Sequence, residues 1–515
     1  MPIRFDSGTD NKNAKRGEGK NKWGILALLS LVIFFLFRRP KFTIPILIIV
    51  GLVYYFFFLG GNKNLMALGT GKFGMGCGFD QTKYDNIKVY EPLASSSNKN
   101  KIPASFSLYN YAPKRKDQGA QGSCVGWATA YAARTVLEAY ATGKDPNSIA
   151  FSPSFLYNQV AKPGCNGAYT SDALEIMATK GSLPWAKFDY DENSCSKKPN
   201  ANQLSEAKQY KIIGYNRLSK TGNDYDVSLE ALKQNIAQGA PVILAMKVPE
   251  SFNDLDKELW EPTKKDYKYI EFLGGHAMCA IGYDDFKFGG AVQIMNSWGR
   301  NWGSDGVFWM RYTDFEKFIR EAYCLFPLPK KTEVEFDVSF GLVHAASNAE
   351  IPLNQYRANL FRTRSPLKKN DKFKIEVQNN VPCYIYVFGQ ETDGSSFVLF
   401  PYKDTKKSKS KYSAYCGITG ARHFPSGVES LKTDEVGSQD FMAVVVSKDE
   451  LDYKELNERI NRIPGKDYLS RLNKAMGAMQ ISNPKFKLKA SSVAFQGKTS
   501  GNQKAVAVVI AIDKK

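Results

Sequence analysis

Two apolar runs stand near the start of the chain, GILALLSLVIFFLF at 24–37 and FTIPILIIVGLVYYFFFL at 42–59, separated by Arg38, Arg39, Pro40 and Lys41. At 1.5 Å per helical residue the second run reaches about 27 Å, close to the ~30 Å hydrocarbon core of a bilayer, and predicts a membrane span. The first, at about 21 Å, crosses only if Lys22 and the arginines snorkel. A basic start before a short apolar core also suits a cleaved signal, but no small-residue cleavage chemistry follows Phe37 and a second run begins at once. The pattern therefore predicts stable attachment to a cell membrane, with lipid as a partner through residues 24–59. One span with nine basic residues before it keeps the N-terminus inside and places the rest outside the cytoplasm; a hairpin of two spans returns the rest to the cytoplasm. Both topologies stay open.

The pattern divides the chain into a basic polar tail (1–22), the apolar segment or segments (23–60), a linker rich in Gly, Asn, Ser and Lys (61–101), a mixed region (102–329) and a β-rich remainder (330–515). In the mixed region Val125, Ala128, Ala132, Val136 and Ala139 recur at helical spacing, and Gly143 with Pro146 supplies a stop. GGHAMCAIGY and VQIMNSWGRNWGSDGVFWMRY read as strands joined by glycine-rich turns. Beyond KKTEVEF the period becomes two: FKIEV alternates, and YIYVFGQETDGSSFVLFP is two apolar runs around Asp393 and Gly394, a hairpin signal because glycine accepts the positive φ of such turns. With KFKLKA, KAVAVVIAI and one helical stretch, DYKELNERINRI, the remainder predicts a β-sandwich with an accessory helix. The expected fold class is α+β.

The net charge of +19 suggests nucleic acid until it is divided along the chain. Residues 101–330 hold 27 basic and 25 acidic side chains, so the excess lies at the N-terminal end and in the last third. That distribution suits phospholipid contact or a solvated surface better than a phosphate groove, and no nucleic-acid partner is expected. Eight cysteines without a CxxC pair suggest neither a disulfide scaffold nor a zinc site. No metal and no cofactor are called for.

One cysteine stands apart. Cys124, in DQGAQGSCVGWATAYA, opens the predicted helix, where unpaired N–H groups and the macrodipole favour a thiolate. Such a nucleophile needs a base and an oxyanion donor. Of three histidines, only His276 sits at a strand end behind two glycines. Asn296, twenty residues on, can fix the imidazole, Trp298 can cover their hydrogen bond, and Gln118 can offer its amide to an oxyanion beside the Cys124 N–H.

Gln118 and Cys124 in DQGAQGSC, the GGHAMCAIGY segment and NSWGRNWGSDGVFW together resemble the papain-like cysteine peptidases, over about residues 102–327. The resemblance implies a two-lobed fold, a polypeptide substrate and an endopeptidase acting through an acyl-enzyme. Cys124 matches the nucleophile, His276 the base and then acid, Asn296 the orienting residue and Gln118 the oxyanion donor. GCNGAY at 164–169 resembles the loop that pairs with extended substrate, with Gly167 and Ala168 at its two substrate-facing positions. The two downstream blocks lie 152 and 172 residues beyond Cys124, which implies inserted loops. Gln121 stands where the family has a cysteine, so Cys165 loses its usual partner and Cys195 is the best substitute, the alternative being two reduced thiols. Val125 replaces the usual tryptophan, with Trp127 two further on, and Ala168 replaces a glycine. Residues 62–101 are too short and irregular for the family's helical propeptide, so either the enzyme is not held as a zymogen or something else restrains it. The last third is similar to a β-rich domain found beside bacterial peptidases, which implies a bacterial source and a protein partner or substrate for that domain. The rival reading is a catalytically silent scaffold.

Overall fold

The computed structural model describes residues 3–6, 74–220, 225–270, 274–328, 336–402 and 411–515. The apolar runs 24–37 and 42–59 and the lysine-rich stretch 403–410 lie outside the described residues. Among those described, no helix is long and apolar enough to cross a membrane.

Two sets of apolar side chains bury themselves separately, one drawn mainly from residues 77–325 and the other from 336–512. In the first, Cys124–Gly126, Trp127–Arg134 and Thr135–Thr142 run on as one helix whose middle section is of π type. Every residue from Cys124 to Leu137 is buried, so this helix is apolar all round rather than along one stripe. Gly143, at φ 69°, ends it in the left-handed conformation. The helices Pro153–Val160 and Thr170–Thr179 pack beside it, the first started by Ser152 accepting from Phe155 N–H.

The opposing lobe is a seven-stranded sheet in the order Tyr215–Arg217, Ile319–Leu325, Val242–Val248, Gly274–Asp284, Ala291–Met295, Val307–Arg311, with Ser105–Ser107 added beside Gly274–Asp284. Its long strand Gly274–Asp284 pairs Ala277 with Ala245 and His276 with Met246, and its N-terminal end faces the start of the Cys124 helix.

The C-terminal remainder is two sheets closed on a core of Val, Ile and Phe. The hairpin Cys383–Gln390 to Ser396–Phe400 forms around Gly394, φ 88°, as its sequence predicts. Two helices, Tyr453–Arg462 and Tyr468–Met476, cover one sheet's outer face, where the pattern predicted one. Ile3–Asp6, read as part of a solvated tail, instead pairs as an antiparallel edge strand with Ser430–Thr433. Four residues of pattern are too few to signal a strand whose partner lies over 400 positions away.

The expected linker also departs from its reading from residue 74 onward. Asp80 accepts from Lys83 N–H and starts a short helix, Gln81–Asn86. Residues 87–100 then run between the two cores: Val89 N–H donates to Lys411 O at 2.7 Å, Leu93 N–H to the Gln234 side chain at 2.9 Å, and Ala94 N–H to Ala421 O at 2.9 Å. The stretch lacks periodicity because its order comes from partners on either side rather than from burying one face.

Candidate active site

Local physics sets each candidate group. Cys124 is held by the first turn of its helix and His276 by the strand Gly274–Asp284. Asn296 follows Ala291–Met295 and is pinned by its N–H to Gly306 O at 3.0 Å. The Asn296 Oδ1 lies 2.7 Å from His276 Nε2 and also accepts the Ser297 N–H at 2.8 Å. The second bond identifies that atom as the oxygen, so Nε2 is the donor and the neutral ring keeps its lone pair on Nδ1. That Nδ1 is buried and has no hydrogen-bond partner among the described residues. Trp298 lies over the imidazole at 4.5 Å between ring centroids and is 2% exposed, so water does not compete for the bond. Gln118 is oriented the same way: Ser297 Oγ donates to its Oε1 at 2.6 Å, which turns Nε2 outward. Ser297 thus ties the imidazole support to the amide across 179 residues of chain.

The cleft between the lobes is filled by the chain's own segment Gly74–Phe79. Gln118 Nε2 donates to Gly74 O at 2.9 Å, Ala168 N–H donates to Gly76 O at 2.8 Å, and Cys77–Gly78 pairs in parallel with Ala168–Tyr169. The fit depends on glycine on both walls. A methyl group on Gly76 would come within 2.1 Å of Gly122 O, and one on Gly275 within 2.0 Å of Cys77 O. Gly167 and Ala168 therefore do receive an extended backbone, here one from the same chain.

This strap overturns the electrostatic expectation for the nucleophile. Burial dominates and pushes the Cys124 thiol up to about 11, against backbone N–H groups of Ala277, Gly76 and its own helix turn that favour the thiolate. Burial likewise pulls His276 down to about 4, against the Asn296 bond. With the strap in place both groups are neutral at pH 7. A helix N-terminus lowers a thiol's pKa only where water or an opposite charge also supports the anion.

The departures from the family pattern are accommodated. Cys165 and Cys195 are bonded as a disulfide, and Gln121, in place of a cysteine, donates to Asp191 O at 3.2 Å, reaching the same loop. Trp127 packs beneath the helix start against Tyr131, Trp185 and Tyr190. Tyr190 in turn donates to Gln118 O at 2.7 Å. Among the described residues no group of three or more His, Cys, Asp or Glu could hold a metal ion.

Two features escaped the sequence. The strap reads as linker, although GKFGMGCGF, with glycine at every second position from 74 to 78, is the one signal of a backbone meant to be approached closely. Glu321 in IREAYCLF reads as an exposed charge on a strand, yet it is 3% exposed.

Residues 103–325 match the family described as papain family cysteine protease. Among solved structures, a Carica candamarcensis cysteine protease in complex with E-64 is 20% identical, with 44% of this chain and 98% of that chain covered and a TM-score of 0.34. An uncharacterized peptidase C1-like protein of Acanthamoeba polyphaga mimivirus is 31% identical over 204 residues, 38% of this chain and 63% of the relative. Cathepsin B-like CP2 of Giardia intestinalis is 26% identical over 241 residues, 44% of this chain and 74% of the relative. Pro-cathepsin H of Bos taurus is 29% identical over 202 residues, 39% and 56%. These relatives are viral and eukaryotic, so they lend no support to a bacterial source. The match leaves residues 330–515 unaddressed; for 103–325, sequence and geometry agree, and this part of the chain belongs to the papain family of cysteine peptidases.

Proposed function

We propose that the chain is a thiol endopeptidase that hydrolyses peptide bonds through an acyl-enzyme on Cys124. The reading is carried by one observation: the hydrogen bonds of Asn296 leave His276 Nδ1 as the unpaired, proton-accepting nitrogen in a cleft lined by Cys124, Gln118 and Ala168. In this mechanism Nδ1 takes the Cys124 proton and the sulfur attacks the scissile carbonyl. The oxyanion receives the Gln118 Nε2–H, which already grips a backbone carbonyl, and the Cys124 N–H. His276 then returns the proton to the leaving amine, and afterwards takes one from the water that splits the thioester.

The strap supports endopeptidase action, because an extended chain enters at Gly74 and leaves beyond Phe79, so the cleft accepts an internal segment. It also implies that the state described is closed and that turnover requires the strap to leave. Attachment to a lipid bilayer through residues 24–59, and a protein partner for the C-terminal sandwich, belong to the same proposal; the first rests on the length and apolarity of the sequence runs.

The test uses the full chain and a Gly76→Val chain with an epoxide thiol probe and fluorogenic peptides. Labelling at Cys124 and hydrolysis lost in Cys124→Ser are expected. If neither chain is labelled or hydrolyses any peptide, the silent scaffold is the correct reading.

A further inference from the structure

The strand register sets three side chains in one row beneath the strap. Glu321 pairs with Ala245, and Ala245 with Ala277, the residue after His276. Directly paired residues on adjacent strands project to the same sheet face. Two alanines beside a glutamate leave a hollow with a carboxylate at one side, and Thr170 from the helical lobe closes the other. Cys77 of the strap fills it: its Sγ lies 3.5 Å from Thr170 Oγ1, and its backbone pairs with Ala168. The helix after the strap continues over the same strand, with the Tyr84 hydroxyl 3.5 Å from Ala322 N.

Glu321 makes few bonds for a buried acid. Tyr323 Oη donates to it at 2.7 Å, and the Asp80 backbone, from the strap's end, gives a further hydrogen bond. No basic side chain among the described residues pairs with it. A buried carboxylate without a cation is costly unless something else supplies one. The groups covering it belong largely to a segment that must leave before substrate can bind. Cys77 is a small neutral occupant of a hollow whose only charged wall is acidic, and its own thiol is pushed up partly by that charge.

From this register, and resting on the peptidase reading above, we infer that Glu321 is a specificity-determining residue that selects an arginine or lysine side chain at the substrate position paired with Ala168. When the strap withdraws, Glu321 loses the Asp80 bond and faces the vacated hollow. A substrate cation entering over Ala245 and Ala277 supplies the missing counter-charge. The selection acts at one subsite, since the other strap contacts are backbone to backbone.

The test is a mixed peptide library digested by the full chain and by Gly76→Val, with cleavage sites read by mass spectrometry, each repeated with Glu321→Gln. Arginine and lysine are expected to be enriched about tenfold or more at a single position relative to the scissile bond. Glu321→Gln is expected to abolish that enrichment while leaving cleavage of sequences with leucine there within about twofold. If arginine and lysine are not enriched, or if Glu321→Gln lowers all cleavage equally, the carboxylate is structural and the inference fails while the peptidase reading stands. If no peptide is cut by either chain, both fall together.

Discussion

The strap's hold on the cleft rests on Gly76, and replacing it by valine measures that hold. A Cβ at this position would sit 2.1 Å from Gly122 O and 2.7 Å from the Gly122 carbonyl carbon, both backbone atoms that cannot swing aside. On the other wall, Gly76 O itself lies against Gly167 and bonds Ala168 N–H. The strap thus has no direction in which to retreat within the cleft. Overpacking of this kind costs about 1–3 kcal/mol, which at roughly 1.4 kcal/mol per factor of ten shifts the closed-to-open equilibrium by about 5- to 150-fold. In the closed state a thiol at about 11 is ionised in only about one molecule in 10⁴ at pH 7, so the native chain should alkylate very slowly. The assay is the rate of iodoacetamide incorporation at Cys124, with Cys124→Ser giving the background from the other thiols. A rise within that range is expected in Gly76→Val. If the rate stays within twofold of the native chain while thermal stability is kept, the strap does not control access and the reasoning fails.

Three further outcomes follow from the same geometry. Gln118→Ala removes both an oxyanion donor and the grip on Gly74 O, so alkylation of Cys124 should rise while kcat falls about 10²–10³-fold; a fall in both refutes the double role. His276 is held at about 4 in the closed state against about 6.5 when exposed, so below pH 6.5 the open state takes up a proton that the closed state refuses. Closure therefore weakens as pH falls from 6.5 to 4, by at most about 3 kcal/mol, and hydrogen exchange of amides 75–80 should show protection lost over that window after correction for intrinsic rates. Constant protection from pH 7 to 4 contradicts this. In the C-terminal sandwich the buried Lys514 pairs with Asp440 at 2.8 Å and with Asp434. Lys514→Met strands the buried Asp440 and should destabilise this part by about 3–5 kcal/mol, seen by calorimetry as a lowered transition; an unchanged transition shows that the pair carries no such cost.

The nucleophile helix, the strand carrying His276, the hairpin at Gly394 and the order of the site residues were legible because each is a local pattern: helical recurrence, alternation, a turn residue, a motif. The chemistry those residues offer was also legible, since a thiol, an imidazole and two amides have fixed donor and acceptor capacities wherever they sit. Their protonation was not. The same Cys124 that a helix start would ionise is neutral here, because a segment some 45 residues upstream removes its water. Desolvation is a property of what is packed around a group, and no local window reports it. The strap itself reads as linker because its partners are the glycines at 122, 167 and 275, distant in sequence and joined only by the closing of two lobes. Glu321 owes its meaning to a register that sets it beside Ala245 and Ala277 across three strands. The residues and their reactivity were written along the chain; which of them meet, and which are kept from water, was decided by packing between segments that the chain brings together only on folding.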